Sequence, residues 1–181
     1  MKLKALGAAM IAALALASTA NAATQTVNGG TVHFNGKITN AGCAVATESQ
    51  DQTVELGEWT VNYFASQTES TKVPFNINLV QCDTTIAKTA QVSFDGVRDA
   101  TDATLLAVSA TGGNLVQASG VGIQIFDSED AVLPPDNTTL SSAYNLIDGN
   151  NTLKFFANYK KTADVTAGQA NADATFRITY N

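Results

Sequence analysis

Few side chains in the 181-residue sequence are suited to chemistry: a single histidine, His33, and two cysteines, Cys43 and Cys82, head the candidates. A Ser-His-Asp or Cys-His nucleophilic arrangement would have to use His33 as its base. Flanked by Val32 and Phe34, it falls on the polar parity of an alternating stretch, which predicts a solvent-facing strand residue. Asp95, Asp99 and Asp102, with Arg98 among them, fall in a loop-like run. Calcium needs several converging oxygens, and an EF-hand loop would add a glycine and a terminal glutamate in register. That run has neither, so a solvated turn is expected. Glu129 and Asp130 are neighbours in a turn before Pro134-Pro135, whereas glycoside hydrolysis requires two carboxylates converging in a cleft. The sequence contains no phosphate loop, dinucleotide fingerprint or zinc spacing. Trp59, near Tyr63 and Phe64, could stack on a ligand, but core or inter-subunit packing is the expected role. The chemistry points away from an enzyme and calls for no cofactor or metal.

The chain that must position these residues opens with a secretion signal. Lys2 and Lys4 precede an apolar run from Leu6 to Ala17, and Ala20-Asn21-Ala22 supplies the small-x-small cleavage pattern. Residues 1–22 are therefore expected to be removed, leaving 159 of the 181 residues, a size suited to one domain. No later run approaches the roughly 20 apolar residues of a membrane span, so no membrane insertion is expected after signal removal. Losing Lys2 and Lys4 moves the net charge from −6 to −8. So acidic a chain lacks the electrostatic footprint of a nucleic-acid or anionic-membrane binder. Export also decides the reading of the cysteines: Cys43 and Cys82 are expected to form a structural disulfide.

Short alternating segments recur along the rest. Val73, Phe75, Ile77 and Leu79 share one parity, as do Val92 and Phe94, and Val121, Ile123 and Ile125. The segments "TLKFFANYK" (152–160) and "ADATFRITYN" (172–181) close the series, the latter with Ala172, Ala174, Phe176, Ile178 and Tyr180 on one face. Turn formers separate them at Asp95-Gly96, Gly112-Gly113-Asn114, Pro134-Pro135-Asp136-Asn137 and Asp148-Gly149-Asn150-Asn151. Many short strands at this spacing predict an all-β sandwich. Short helical turns fit within 58–70 or 137–144.

The opening strand is the odd one. In "TVHFNGKITNAGC" (31–43), Val32, Phe34, Gly36 and Ile38 alternate with polar residues, at a chain end and with a glycine interrupting the apolar face. This apolar-x-aromatic-x-Gly-x-apolar strand running to Cys43 resembles the amino-terminal extension of chaperone–usher pilins. Tyr180 as the penultimate residue and Gly168 fourteen from the carboxyl end match a second mark of that family. The spacing of Cys43 and Cys82, with the segments "TVNGGTVHF", "DQTVELG" and "ANADATF", is similar to the shaft subunits of type 1 fimbriae. Thr39, Gly42 and the stretch from Trp59 to Lys72 depart from the common pattern.

The resemblance implies an incomplete immunoglobulin-like sandwich lacking its last strand, with an N-terminal donor-strand extension at 23–42 and a pilin domain at 43–181. Val32, Phe34, Gly36 and Ile38 would form the donor strand. Gly168, Ala174, Phe176, Ile178 and Tyr180 would edge the acceptor groove and contact the chaperone. The implied function is that of a structural subunit of an adhesive fimbria, polymerising by donor-strand exchange. The implied partners are a periplasmic pilus chaperone, an outer-membrane usher, identical subunits in a head-to-tail filament, and minor tip subunits. The route leads through the periplasm to the cell surface. Two rivals remain at this level: a minor adaptor or terminator pilin, and a secreted monomeric β-sandwich binding module in which residues 31–40 pair within their own domain.

Overall fold

A computed structural model describes residues 25–34, 36, 38, 40–110 and 115–181. The signal segment, Thr39 and the Gly112-Gly113-Asn114 turn lie outside the described residues. Two compact units divide between Ile38 and Thr39. In the first, the described residues form neither helix nor strand.

The second unit is a two-sheet sandwich, as the alternation predicts. Its elements are β1 (Ala44–Val45), α1 (Thr47–Gln50), α2 (Tyr63–Ser66), β2 (Val73–Cys82), β3 (Thr89–Gly96), β4 (Leu106–Ala107), β5 (Ser119–Phe126), β6 (Tyr144–Asn145), β7 (Gly149–Thr166) and β8 (Ala174–Tyr180). One sheet has the order β1-β2-β7-β5-β4 and the other β6-β3-β8. Every named strand pair is antiparallel. The inward parity of β2 and β7 contributes Ile77, Leu79, Leu153 and Phe155, which pack against Ala90, Val92 and Phe94 of β3. At the centre Phe94 meets Phe155 edge-on at 5.4 Å, and Phe75 stacks on Phe155 at 5.6 Å. Such aromatic pairs add to the burial of their apolar area.

Strict alternation carried past Leu79 would turn Gln81 inward. A bulge prevents this: Leu79 pairs with Asn151 and Cys82 with Gly149, so β2 holds one residue more than β7 between them, and Gln81 takes φ 53°. The extra residue flips the parity, and Cys82 rather than Gln81 faces the core beside Cys43. The two are disulfide-bonded, as export implied, across a separation of 39 residues. Replacing both cysteines by serine is expected to cost about 4 kcal/mol through the freed loop entropy of the unfolded chain. Urea unfolding checks this, and a loss below about 1 kcal/mol would contradict it.

Of the helical turns, α2 falls in the anticipated stretch 58–70. None forms in 137–144, where the Asp136 carboxylate accepts the N–H groups of Thr138 and Thr139 at 2.8 and 2.7 Å and fixes an irregular turn. These bonds hold its pKa well below the ordinary carboxylate value. The single turn α1 gave no periodic signal because four residues are too few for one.

Candidate functional site

The acidic clusters resolve into turn anchors. Asp99 accepts the N–H groups of Thr101 and Asp102 at 2.8 and 3.0 Å. Asp102 accepts the N–H and hydroxyl of Thr104 at 3.0 and 2.6 Å and pairs with Lys160 at 3.3 Å. Its pKa is lowered, chiefly by Thr104. Glu129 and Asp130 turn to separate partners, Ser142 at 3.0 Å and Lys72 at 2.8 Å. Among the described residues no three His, Cys, Asp or Glu side chains are grouped to hold a metal ion. His33 is exposed and lies in no strand. Trp59 is half-buried against the core, its indole N–H donating to the Leu56 carbonyl at 2.9 Å and its ring 4.7 Å from that of Tyr63.

The distinctive site is a strand position that the chain's own sandwich leaves open. Among the described residues, β8 pairs with β3 alone, from Ala90↔Tyr180 to Gly96↔Ala174, and its other edge presents free N–H and C=O groups. Such an edge is a template for strand addition. Phe176, Ile178 and Tyr180 on its inner face pack against the core, yet they stay half-exposed, and Ala174 is exposed. The run 51–60 belongs to no strand, although Leu56 and Trp59 press on the same core.

Both ends of this groove are defined. At one, the Tyr180 hydroxyl donates to the Cys43 carbonyl at 3.4 Å, tying the end of β8 to the disulfide. Burial pushes the Tyr180 phenol up, so it remains a neutral donor at ordinary pH. At the other lies a cleft of about 420 Å³ lined by Trp59, Phe64, Val121, Tyr159, Val165 and Ala170. Gly168 also lines that cleft and lies outside β8. Gln169 flanks it, donating to the Val116 carbonyl at 2.7 Å and accepting from the Ala118 N–H at 2.8 Å. A Cβ at Gly168 would collide with the backbone of residues 116–118, which is why glycine stands there. The structure thus brings Ala174, Phe176, Ile178 and Tyr180 together on one strand and sets Gly168 apart at the groove's end. Trp59 takes the core packing expected of it, whereas Leu56 beside it gave no signal, since the run around it alternates with no clear period.

In the extension, the described apolar side chains are exposed. Val32 is 72% exposed, Phe34 92% and Ile38 101%, and no described residue of 31–38 takes part in a strand. A strand needs a neighbour to bond, so the predicted alternation is present without its ladder.

Comparison with known proteins agrees with this geometry. Residues 32–181 match the family described as "Fimbrial protein". The "Type-1 fimbrial protein, A chain" of Salmonella typhi is 50% identical over 155 residues, spanning 85% of this chain and 84% of that protein. The "Fimbrial subunit type 1" of Salmonella typhimurium is 47% identical over 175 residues, spanning 96% and 94%. Among solved structures, a chaperone–usher pilus superposes with a TM-score of 0.71 at 26% identity, covering 87% of this chain and 100% of that one. The P pilus rod subunit PapA gives 0.64 at 25% identity, covering 78% and 100%. Among the described residues no helix is long and apolar enough to cross a membrane. The immunoglobulin-like pilin fold, the open β8 edge and these relatives converge: the chain belongs to the fimbrial protein family and is a structural subunit, not an enzyme.

Proposed function

We propose that the protein is a subunit of an adhesive fimbria that polymerises by donating residues 31–40 to the β8 groove of the next copy. Strand donation is an established mode of β-addition among pilins. The observation that carries it here is the pairing of two exposed complements: an apolar strand face with no partner, and a strand edge with none. From Val32 to Ile38 an extended chain spans about 20 Å, the same six-residue rise as Ala174 to Tyr180. A donor that completes an antiparallel sheet runs opposite to β8. Matching the two lengths sets Ile38 opposite Ala174, Gly36 opposite Phe176, Phe34 opposite Ile178 and Val32 opposite Tyr180. Large then meets small at both Ile38–Ala174 and Gly36–Phe176.

Until a neighbour arrives, the groove needs a temporary strand, and a periplasmic chaperone lends it along the same β8 edge, with the outer-membrane usher as the place of exchange. Each subunit donates and accepts with different surfaces, so the contact is heterologous and the filament stays open. Minor tip subunits would join by the same contact, and the finished fibre stands at the cell surface.

The test is Phe34→Asp in the full chain. Its side chain is exposed in the free subunit, so circular dichroism and thermal unfolding of the monomer are expected to stay unchanged. A charge entering an apolar groove costs several kcal/mol, so filaments seen by electron microscopy are expected to disappear. Normal filaments from this variant would refute strand donation by residues 31–40.

A further inference from the structure

We infer that consecutive subunits also touch through a second, apolar contact, in which Ile86 and Ile147 of the donor pack on Val97, Leu115 and Val116 of the acceptor. This deepens the strand-donation reading and rests on it. Each of these five side chains leaves more than half of its surface exposed.

The donor half is fixed by how the extension leaves its domain. Gly42 is buried, its carbonyl accepts the Asp83 N–H at 2.9 Å, and a Cβ there would come within 2.6 Å of the Ala87 Cβ. The exit point is therefore clamped to the 83–88 loop that carries Ile86. The turn carrying Ile147 is bound to that same loop. Thr84 donates its N–H and hydroxyl to the Asp148 carboxylate at 2.8 and 2.6 Å, and Leu146 N–H donates to the Lys88 carbonyl at 2.9 Å. Asn151 braces the turn by accepting the Ile147 N–H at 2.9 Å and donating to its carbonyl at 2.7 Å. Two isoleucines thus stand rigidly around the base of the donated strand. Isolated surface hydrophobes need no explanation, but a braced pair at a fixed exit point does.

The tether supplies the rest. Three residues join Ile38, the last side chain to enter the groove, to Gly42, and those four Cα–Cα steps reach at most about 14 Å. The donor's exit pole cannot swing away from the groove's mouth. A donor antiparallel to β8 leaves at the Ala174 end. There, Val97 follows Gly96, the residue paired with Ala174. Val116 bonds Gln169 on the run leading into β8, and Leu115 precedes it. The exposed side chains at the two poles are both aliphatic, and the tether holds them face to face. A second copy of this chain is the occupant that the strand itself delivers.

Cysteine pairing tests the contact in assembled filaments. Ile86→Cys or Ile147→Cys is combined with Val97→Cys or Val116→Cys in the full chain, and filaments are oxidised and run on denaturing gels without reductant. At least one pairing is expected to give a covalent ladder that each single variant lacks. Filaments from all four pairings without a ladder would overturn the inference and leave strand donation standing. Failure of the parent chain to form filaments would overturn the strand-donation reading itself. Independently, Ile86→Asp with Ile147→Asp is expected to assemble but to shed subunits in denaturant roughly ten-fold faster, since contact changes act mainly on dissociation. An unchanged rate in this variant would also overturn the contact.

Discussion

Residues 43–181, produced in an oxidising compartment so that Cys43 and Cys82 pair, are expected to unfold well below the temperature reached with a synthetic peptide of residues 24–40 bound. The magnitude follows from what the peptide buries. Val32, Phe34 and Ile38 are largely exposed in the free chain, and burying such side chains yields about 1.5–3 kcal/mol each. Phe176, Ile178 and Tyr180 lose their own half-exposure at the same time, and the open edge of β8 gains a ladder. Even after the entropy of ordering the peptide, a net gain of about 5 kcal/mol is expected, which in a domain of this size moves the midpoint by about 15 °C or more. Differential scanning calorimetry with and without excess peptide reads it directly. A peptide carrying Phe34→Asp should give little of the shift. Equal midpoints with and without the natural peptide would show that the sandwich needs no added strand, and strand donation would fall.

Much of the fold was legible because strands such as β2 and β8 have one wet face. In β2 the period of two runs through Val73, Phe75, Ile77 and Leu79, and Phe75, Ile77 and Leu79 face the core as read. In β8 the same holds for Phe176, Ile178 and Tyr180. The signal weakens where a strand is covered on both sides. In β5, Gly122, Gln124 and Phe126 are as buried as Val121, Ile123 and Ile125: Leu105 packs where a side chain at Gly122 would stand, and Lys72 lies over the Phe126 ring. The bulge at Gln81 was hidden for another reason: it is set by where Cys82 must meet Cys43, a contact 39 residues away. β7 runs 18 residues, twice the alternating stretch that marks it, since it pairs with β2 along one half and β5 along the other.

The site was legible by halves. The donor face of 32–38 and the acceptor face of 172–180 each show alternation, but a period says only that one side is apolar. It does not say whether the matching core belongs to the same molecule. That depends on whether β8 has a second neighbour, which is a property of sheet order and only emerges with the topology. The link that periodicity lacks is what the family resemblance implies and what the proposed strand donation rests on. Leu56 carried no periodic signal, whereas Trp59 takes the core packing expected of it.

On the proposed strand donation, Gly36 is the position where the groove is tightest, and enlarging it is expected to abolish polymerisation while sparing the subunit. Nothing in the free chain asks for a glycine there: its φ is not in the left-handed region, and an added Cβ meets no atom within 4 Å. Gly36→Leu should therefore leave the unfolding midpoint of the isolated subunit unchanged. In the donated strand, residue 36 shares the inward parity of Phe34 and Ile38, and the length-matched register sets it opposite Phe176. A leucine would compete with that ring for the same space. Overpacking costs 1–3 kcal/mol by itself, and lifting the strand also forfeits the adjoining pockets of Phe34 and Ile38. A loss of at least about 100-fold in subunit–subunit affinity is thus expected. Electron microscopy and a peptide-binding assay using residues 24–40 with Gly36→Leu both measure it. Normal filaments from this variant would refute the steric role of Gly36. The register has its own check: adding Phe176→Ala to the Gly36→Leu chain vacates the space opposite and should restore part of the binding. If Ile178→Ala restores it and Phe176→Ala does not, the donor strand sits two residues further along β8 than the length match places it.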